Sequence, residues 1–302
     1  MKRQIVFILS TNYAGSHFLA LQLGSHSRCL SLGEFHRYRR SPGRMGRSAC
    51  HVCENDDVCP VFKGVYGAPP HELFGRVFGN LAGIDPQLST VVDNSKKWDW
   101  AERFLGLDDC DLRFLHLIRD PRALVRRWLM NSEERGEAWK IRLRTARRLW
   151  PHALGILFGP EDNVYVHKWA MQNRQISDFL TRHELASRLL TYRELVHFPD
   201  RVLDEIMGWL GHEYEPAQQH YWDFTHHGSQ KAQYMKAPEG GKLHDQRWQT
   251  DLSTEVQERV TGHAAVRRYI DGLGLQLAAN GLVLHPGWGP VSRMGREYTR
   301  MP

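Results

Sequence analysis

Short apolar runs alternate with longer segments of helical periodicity along most of this chain. Four runs have the length and composition of buried strands, and a fifth is a weaker candidate. The four runs are Gln4–Leu9, Thr90–Asp93, Leu112–Ile118 and Leu189–Tyr192, and the fifth is Cys29–Leu32. Because strands that alternate with helices form parallel sheets, the pattern predicts an α/β fold in which helices flank a parallel sheet.

Six segments between and after these runs favour helices. In Val164–Thr181 the apolar side chains roughly follow the 3.6-residue helical period. The other five segments are Gly15–Leu23, Lys97–Phe104, Arg122–Leu129, Arg201–Leu210 and Thr254–Leu273. Ligands of parallel sheets bind beyond the carboxyl ends of the strands. The residues that directly follow each predicted strand are therefore the first candidates for function.

Two segments interrupt the alternation of strands and helices. Residues 36–63 are rich in Arg, Gly, Pro and Cys and are predicted to be irregular. Residues 132–163 include Ala138–Trp150, which carries five Lys and Arg residues and no acidic residue. The length and charge of this segment favour a lid that covers a binding site, although a membrane-surface helix or a solvated helix face fits the basic stretch as well. We expect one domain over residues 1–302, with these two segments as insertions.

The composition is that of an ordinary folded protein. Hydrophobic residues make up 41% of the chain and charged residues 25%, which argues against disordered, collagen-like and coiled-coil classes. No apolar run approaches the roughly 18–20 residues of a membrane span, and Ile5–Leu9 is too short for a signal peptide. We therefore expect a cytoplasmic protein without a transmembrane segment. The net charge of +6 favours anionic partners or simply solubility.

The turn after the first predicted strand has the features of an anion-binding loop. It consists of Tyr13, Ala14, Gly15, Ser16, His17 and Phe18 and opens a helix. Unpaired N–H groups and the positive end of the helix dipole favour a phosphate or a sulfate there. The alternative is an ordinary turn capped by Ser16. A kinase that uses ATP and Mg²⁺ is disfavoured, because its loop needs the Gly-Lys-Ser/Thr sequence.

A second candidate anion site follows the strand Leu112–Ile118. Arg119 leaves this strand at the ligand-binding edge, and an arginine fork suits bidentate phosphate binding. The alternative is a surface arginine paired with Asp120. Arg126 and Arg127 lie about two helical turns further on and would add positive charge.

Taken together, these motifs resemble the sulfotransferases that use 3′-phosphoadenosine-5′-phosphosulfate (PAPS). The anion-binding turn, the pair Gly33-Glu34 and a strand that ends in Arg-Asp-Pro-Arg-Ala follow one another in the order of that family. Three further segments, Val92–Lys96, Thr191–Leu195 and Asp245–Trp248, are similar to later family elements. The resemblance extends from about residue 5 to 260 and implies a P-loop-like sulfotransferase fold.

The resemblance also implies roles for individual residues. It places the 5′-phosphosulfate on the loop from Tyr13 to Phe18 and the 3′-phosphate on Arg119. Glu34 corresponds to the catalytic base of tyrosylprotein sulfotransferases. Arg127 stands where the family usually has a serine that helps to bind the 3′-phosphate. We also expect Tyr192 among the nucleotide-binding residues, and a wall for the adenine over residues 227–231.

Tyr13 departs from the family pattern, which has Lys or Arg at this position of the loop. Tyrosine donates one hydrogen bond but brings no positive charge. Loss of one such donor costs about 2.7–4 kcal/mol of barrier. Lys96 is the preferred substitute cation, and Lys97 and His17 are weaker candidates. The rival interpretation is a catalytically impaired protein that binds 3′-phosphoadenosine-5′-phosphate (PAP).

The resemblance implies transfer of a sulfuryl group from PAPS to a hydroxyl or an amine, with PAP as the product. Glu34 would accept the proton, with Lys96 and His17 stabilising the transferred group, and no metal is required. Small-molecule, carbohydrate and lipid acceptors all fit. Nucleic acid is not expected as a partner, because the basic residues lack interleaved aromatic residues on a recognisable module.

Three cysteines, Cys50, Cys53 and Cys59, have a spacing that suits a metal site. Zinc needs a fourth ligand, for which the nearby candidates are His36, His51 and His71. The alternatives are free thiols and a pair that oxidises under stress. A disulfide framework is not expected, because the five cysteines are an odd number and no export signal precedes them.

Overall fold

A central parallel sheet organises the computed structural model, which describes residues 2–39, 50–55, 57–136, 138–228, 236–237 and 246–284. Its five strands are β1 (Arg3–Ser10), β2 (Cys29–Gly33), β3 (Thr90–Lys96), β4 (Cys110–Ile118) and β5 (Ser187–Thr191). They lie in the order β2-β3-β1-β4-β5, and all four pairings are parallel. The predicted α/β class is confirmed, and so are all five predicted strands.

Helices connect the strands and cover both faces of the sheet. Those before β5 are α1 (Ser16–Leu23), α2 (Leu73–Ile84), α3 (Trp98–Ala101), α4 (Pro121–Arg135), α5 (Ala138–Arg148), α6 (Ala153–Phe158) and α7 (Glu161–Arg182). Those after β5 are α8 (Tyr192–His197), α9 (Pro199–Leu210), α10 (Arg247–Asp251), α11 (Thr254–Gly262) and α12 (Ala264–Gly272). A small antiparallel hairpin of β6 (Leu275–Ala278) and β7 (Gly281–Leu284) follows. No helix in these described ranges has both the length and the apolar character to cross a membrane.

The core is divided by the sheet into two layers. Phe7 of β1 packs against Phe74 of α2 and Phe114 of β4 on one face, with ring centroids 5.7 and 5.5 Å apart. Val6 and Ile8 of the same strand pack on the opposite face with α1 and α9. A strand buried on both faces is typical of a parallel sheet. This packing holds the N-terminus of α1 beside the carboxyl end of β1.

Several predicted helices differ in extent from the observed ones. The single helix predicted over Thr254–Leu273 is wrong, because the chain breaks at His263, which has an extended backbone and caps α12 by accepting from Ala265 N at 3.2 Å. The predicted helix Lys97–Phe104 is likewise divided, into α3 and a turn of 3₁₀ helix over Glu102–Phe104. Local capping and 3₁₀ geometry replace a continuous helix in both places.

The interval 132–163 is largely helical. Its first four residues extend α4 and its last three begin α7, with α5 and α6 between them. The basic helix expected over Ala138–Trp150 is confirmed as α5, from Ala138 to Arg148. Arg142 Nη1 of α5 donates hydrogen bonds to the carbonyls of Ile156 and Gly159, at 2.9 and 2.8 Å. These bonds connect α5 to the end of α6.

Candidate active site

The predicted functional residues meet at one edge of the sheet. The five strands run parallel, so their carboxyl ends share this edge. The turn from Tyr13 to Phe18 follows β1, Glu34 follows β2, and Lys96 ends β3. Arg119 follows β4 and Tyr192 follows β5. The sheet topology thus brings together residues that lie up to 179 positions apart in the chain.

Glycine at position 15 is required by the shape of the turn. Gly15 precedes α1 with a φ of +99°, in the left-handed region. A Cβ atom at this position would lie 2.3 Å from the ring of Tyr192. Tyr13 also has a positive φ, of 70°, and its side chain is 37% exposed. The turn therefore combines a strained backbone with close packing against the end of β5.

Polar groups in the turn are left without partners in the described part of the chain. Gly15 is the N-cap of α1 and no described side chain caps this helix, so the alternative of a turn capped by Ser16 is wrong. The hydroxyls of Ser16 and Thr11 are both buried and have no hydrogen-bond partner among the described residues. Buried polar groups normally have partners, and the first N–H groups of a helix have none within it. A phosphate or sulfate placed here would satisfy both kinds of group.

Arg119 supports the turn and presents a cation beside it. Its Nη1 donates a hydrogen bond to the carbonyl of Tyr13 at 2.5 Å, and its guanidinium lies 4.3 Å from the ring centroid of Tyr192. Arg127, which is exposed on α4, lies 5.2 Å from the ring centroid of Tyr13. The two arginines therefore flank the turn on which sequence reasoning placed the nucleotide.

The alternative pairing of Arg119 with Asp120 is replaced by a different ion pair. Asp120 accepts from both the backbone N–H and the guanidinium of Arg122, with the Nη2–Oδ2 distance at 2.8 Å. The guanidinium of Arg122 also stacks on Trp248, 3.8 Å from the ring centroid. This contact links the Arg-Asp-Pro segment to the late Arg-Trp segment. Arg126 forms an ion pair with Asp251. These contacts build the N-terminus of α4 and leave Arg119 directed at the turn.

Glu34 lies at the centre of a cluster of positive charge. Lys96 Nζ is 2.5 Å from Glu34 Oε1, and Arg37 Nη2 is 2.5 Å from Oε2. His17 Nε2, from the first turn of α1, lies 3.8 Å from Oε1. The side chains of Lys96 and Glu34 are only 8% and 16% exposed. The predicted catalytic residues Glu34, Lys96 and His17 are thus brought into one cluster.

The electrostatics of this cluster favour an ionised Glu34. Burial raises the pKa of Glu34, but the charges of Lys96, Arg37 and His17 outweigh burial and lower it to about 2. Burial also lowers the pKa of Lys96, and Glu34 opposes that shift. Each group of the pair therefore stabilises the charged form of the other in a site with little water.

The Asp-Asn-Ser-Lys segment holds Lys96 in place. Asp93 accepts from Trp100 Nε1 at 2.7 Å and from Ser95 N at 2.7 Å, and Ser95 Oγ accepts from His36 N at 2.9 Å. Lys96 itself has a φ of 70°, so it turns away from the strand direction. The rigid network around Asp93 thus aims the lysine back at Glu34. Sequence reasoning did not assign this supporting role to Asp93.

The other side of the turn contacts the segment near residue 221. Phe18 packs edge-on against Tyr221, with centroids 5.7 Å apart. The carbonyl of Tyr221 accepts a hydrogen bond from His226 Nε2 at 2.8 Å. Residues 227 and 228 of the expected adenine wall follow directly, whereas residues 229–231 lie outside the described residues.

The three clustered cysteines meet His227 rather than a histidine of their own segment. The Nδ1 atom of His227 lies 3.6, 3.4 and 3.5 Å from the sulfurs of Cys50, Cys53 and Cys59. The expectation of a fourth ligand from nearby histidines is wrong: His51 bonds Gly228 O, His71 lies beside Glu72, and the backbone of His36 bonds Ser95. Sequence reasoning missed His227 because it lies 168 residues beyond Cys59.

Comparison with solved structures supports the assignment of the fold. The "Sulfotransferase Domain from the Curacin Biosynthetic Pathway" superposes with a TM-score of 0.51 at 19% identity, over 86% of this chain and 96% of that one. The "Sulfotransferase Domain from the Synechococcus PCC 7002 Olefin Synthase" (TM-score 0.45, 15% identity, 92% and 98% covered) is less similar. So is a sulfotransferase from Alicyclobacillus acidocaldarius (TM-score 0.40, 16% identity, 73% and 90% covered). The first likeness shows the fold alone.

Searches with sequence models and among curated proteins give no match. No protein-family model matches the chain, and no curated protein is significantly similar to it. The expected sulfotransferase fold is therefore supported by three-dimensional likeness. A fold of this kind hosts many functions, so the chemistry depends on the residues of the site.

Proposed function

We propose that this protein transfers a sulfuryl group from PAPS to a hydroxyl or amine of a small-molecule, carbohydrate or lipid acceptor. The observation that carries the proposal is the position of Glu34. Its carboxylate lies at the same sheet edge as the anion-binding turn and contacts Lys96 and His17. A base, cations and the N-terminus of a helix are the parts that in-line transfer from an anionic donor needs.

The donor would bind along the turn and across to Arg119. The N-terminus of α1 and the buried hydroxyl of Ser16 suit the 5′-phosphosulfate. Arg119 suits the 3′-phosphate, because its planar guanidinium can form two hydrogen bonds to a phosphate. The ring of Tyr192, 4.3 Å away, packs against this guanidinium at the edge of the site. Arg127 lies close enough to the ring of Tyr13 to add a second positive charge to this region.

The chemical step then needs one proton acceptor and one leaving group. The acceptor hydroxyl gives its proton to Glu34 as its oxygen forms a bond to sulfur. The bond between sulfur and the bridging oxygen of the 5′-phosphate breaks, and PAP leaves with that electron pair. The N–H groups of the turn, Lys96 and His17 stabilise the negative charge on the equatorial and leaving oxygens. The step requires no metal ion.

Because the pKa of Glu34 is low, this carboxylate can act as the base only if the cations around it move away. A carboxylate with a pKa of about 2 is a weak base while Lys96, Arg37 and His17 surround it. An anionic donor at the turn would attract Lys96 and His17 towards its own oxygens. Their withdrawal from Glu34 would raise the pKa of the carboxyl group. The donor would thus strengthen the base at the moment when it is needed.

The rival function is a nucleotide-binding protein that recognises PAP without turnover. It rests on Tyr13, which brings no charge to a loop position where the family has a cation. Both functions require PAP binding, so the first experiment is thermal unfolding with PAP, AMP, ADP and ATP, with and without Mg²⁺. At about 100 times its Kd, a ligand stabilises by about 2.7 kcal/mol. We expect a shift with PAP that AMP does not produce and that Mg²⁺ does not change.

The second experiment separates turnover from binding. Transfer of labelled sulfate from PAPS to a panel of hydroxyl and amine acceptors should be detectable with the natural chain. It should be lost in Glu34→Gln, while the shift with PAP is retained. Binding of PAP with no transfer to any acceptor, in either form, would favour the rival function. A thermal shift only with ATP and Mg²⁺ would contradict both functions.

A further inference from the structure

Two distant segments of the chain meet through four metal-binding side chains. Cys50, Cys53 and Cys59 come from the arm, by which we mean the described residues between 50 and 59 after β2, and His227 comes from the segment after Tyr221. We propose that these four residues bind one zinc ion, and that the ion fastens the arm to the segment beside the anion-binding turn. This site shares no residue with the cluster of Glu34 and Lys96. Its existence does not depend on the proposed transfer reaction.

The geometry of the four ligand atoms fits one tetrahedral ion. All four lie within 4.8 Å of one another. The three distances from a sulfur to His227 Nδ1 are 3.4–3.6 Å. With Zn–S at about 2.3 Å and Zn–N at about 2.0–2.1 Å, a tetrahedral site places sulfur and nitrogen about 3.6 Å apart. The three observed sulfur–nitrogen distances match this value.

Hydrogen bonding alone does not account for this arrangement. A neutral imidazole nitrogen offers either one lone pair or one proton, so His227 Nδ1 cannot satisfy three thiols at once. One cation at the centre would satisfy all four atoms. Cys50 and Cys59 are buried, and Cys53 is half-buried. The compactness of the set fits one ion better than a two-iron cluster, whose ligands are divided between two metal atoms.

Backbone contacts hold the two segments in register around the site. The N–H of His51 donates to the carbonyl of Gly228 at 3.0 Å, and His51 Nδ1 lies 2.9 Å from the same oxygen. The N–H of Glu54 donates to the carbonyl of Cys50, which closes the turn between the first two cysteines. Structural zinc sites use such a short Cys-x₂-Cys turn together with ligands from elsewhere in the chain.

The proposed ion is connected to the anion-binding turn by a short series of contacts. His226, next to the ligand His227, bonds the carbonyl of Tyr221 and lies 3.4 Å from the hydroxyl of Ser25. Tyr221 packs against Phe18, in the first turn of α1. Removal of the ion would therefore loosen the segment that covers one side of the turn, and we expect it to weaken PAP binding as well as to lower stability.

The test measures metal content and coordination directly. Mass spectrometry of the purified chain should find one zinc per molecule. Replacement by Co²⁺ should give the visible bands of a tetrahedral site and a thiolate charge-transfer band. In competition with a chromophoric chelator, His227→Ala and Cys53→Ser should bind zinc at least about 100-fold more weakly, since loss of an outer-shell partner already costs about 10–100-fold. Two variants are used because either one alone can fail to fold.

The controls are residues of the same types outside the cluster. Cys110→Ala removes a buried thiol at the start of β4, and His220→Ala removes an exposed histidine from the neighbouring segment. Both should keep one zinc per chain and the cobalt spectrum. The proposal is overturned if the natural chain binds neither zinc nor cobalt, if it contains an iron–sulfur chromophore instead, or if the controls lose the metal as the ligand variants do.

Discussion

Lys96 Nζ and Glu34 Oε1, from the ends of two neighbouring strands, lie 2.5 Å apart in a nearly water-free position. Ion pairs of this kind cost desolvation, and breaking one leaves a buried charge unpaired. The pair nonetheless lies at the carboxyl edge of the sheet, beside the turn that follows β1. Its position suits a base and a cation that separate when an anionic donor arrives.

Replacement of Glu34 by Gln should abolish transfer but not nucleotide binding. The amide keeps the shape and one acceptor oxygen, but it cannot take a proton. Loss of a general base costs about 10²–10⁴-fold in rate. Steady-state turnover and the PAP-induced thermal shift should be measured on the same sample. Glu133→Gln, on an exposed part of α4, is the control and should leave both quantities unchanged. Equal loss of PAP binding and turnover in Glu34→Gln would instead assign Glu34 a structural role.

Replacement of Lys96 by Met should raise the pKa of Glu34 in the free protein. Burial favours the protonated carboxyl group, and Lys96 is the first of the charges that oppose burial. The change should be visible in a carboxyl NMR titration, independently of activity. Turnover should fall as well, because the transferred group loses a cation. An unchanged pKa of Glu34 would show that Arg37 and His17 suffice to hold it low.

Stability should depend on pH through the same carboxylate. The pKa of Glu34 is about 2 when folded and about 4.5 in the reference state, so its pairing stabilises the fold above about pH 4.5. This contribution, at most about 3 kcal/mol, is lost as the pH falls from about 4.5 to 2. The difference in unfolding free energy between the natural chain and Glu34→Gln should therefore shrink over this interval. A difference that stays constant would contradict the pairing.

Gly15→Ala should disrupt the anion-binding turn. A β-carbon is strained at a φ of +99° and would lie 2.3 Å from the Tyr192 ring, so the turn must move. We expect a loss of about 1–3 kcal/mol of stability and of the PAP-induced shift. Gly79→Ala is the matched control: this exposed helical glycine of α2 has open space around it, and the change should stabilise by up to about 1 kcal/mol. Retained PAP binding in Gly15→Ala would place the nucleotide elsewhere.

The strands and the residues after them were predictable because a parallel sheet leaves simple signals. Each strand is a short apolar run, and parallel strands bring their carboxyl ends to one edge, as Glu34 and Arg119 illustrate. Helix α2 escaped prediction because glycines interrupt its pattern, although Phe74, Val77 and Leu81 pack in the core. The hairpin of β6 and β7 also went unpredicted.

Contacts between distant parts of the chain carried no signal in a single sequence. His227 joins three cysteines 168 to 177 residues away, and no local spacing points to it. The hydrogen bonds that hold Asp93 and the position of Arg127 above Tyr13 are equally a product of packing. Residue types and their order along strands were thus enough to identify candidates. Only the three-dimensional arrangement shows which of them lie together.

Arg119→Ala should remove the preference for a 3′-phosphate. A hydrogen bond to a charged group contributes about 1.5–3 kcal/mol, so PAP affinity should fall about 10–150-fold, while AMP affinity changes little. Isothermal titration with both nucleotides measures the difference. Arg147→Ala, on the exposed side of α5, should leave PAP affinity unchanged. A parallel loss of AMP and PAP binding would mean that Arg119 acts through the carbonyl of Tyr13, to which it donates.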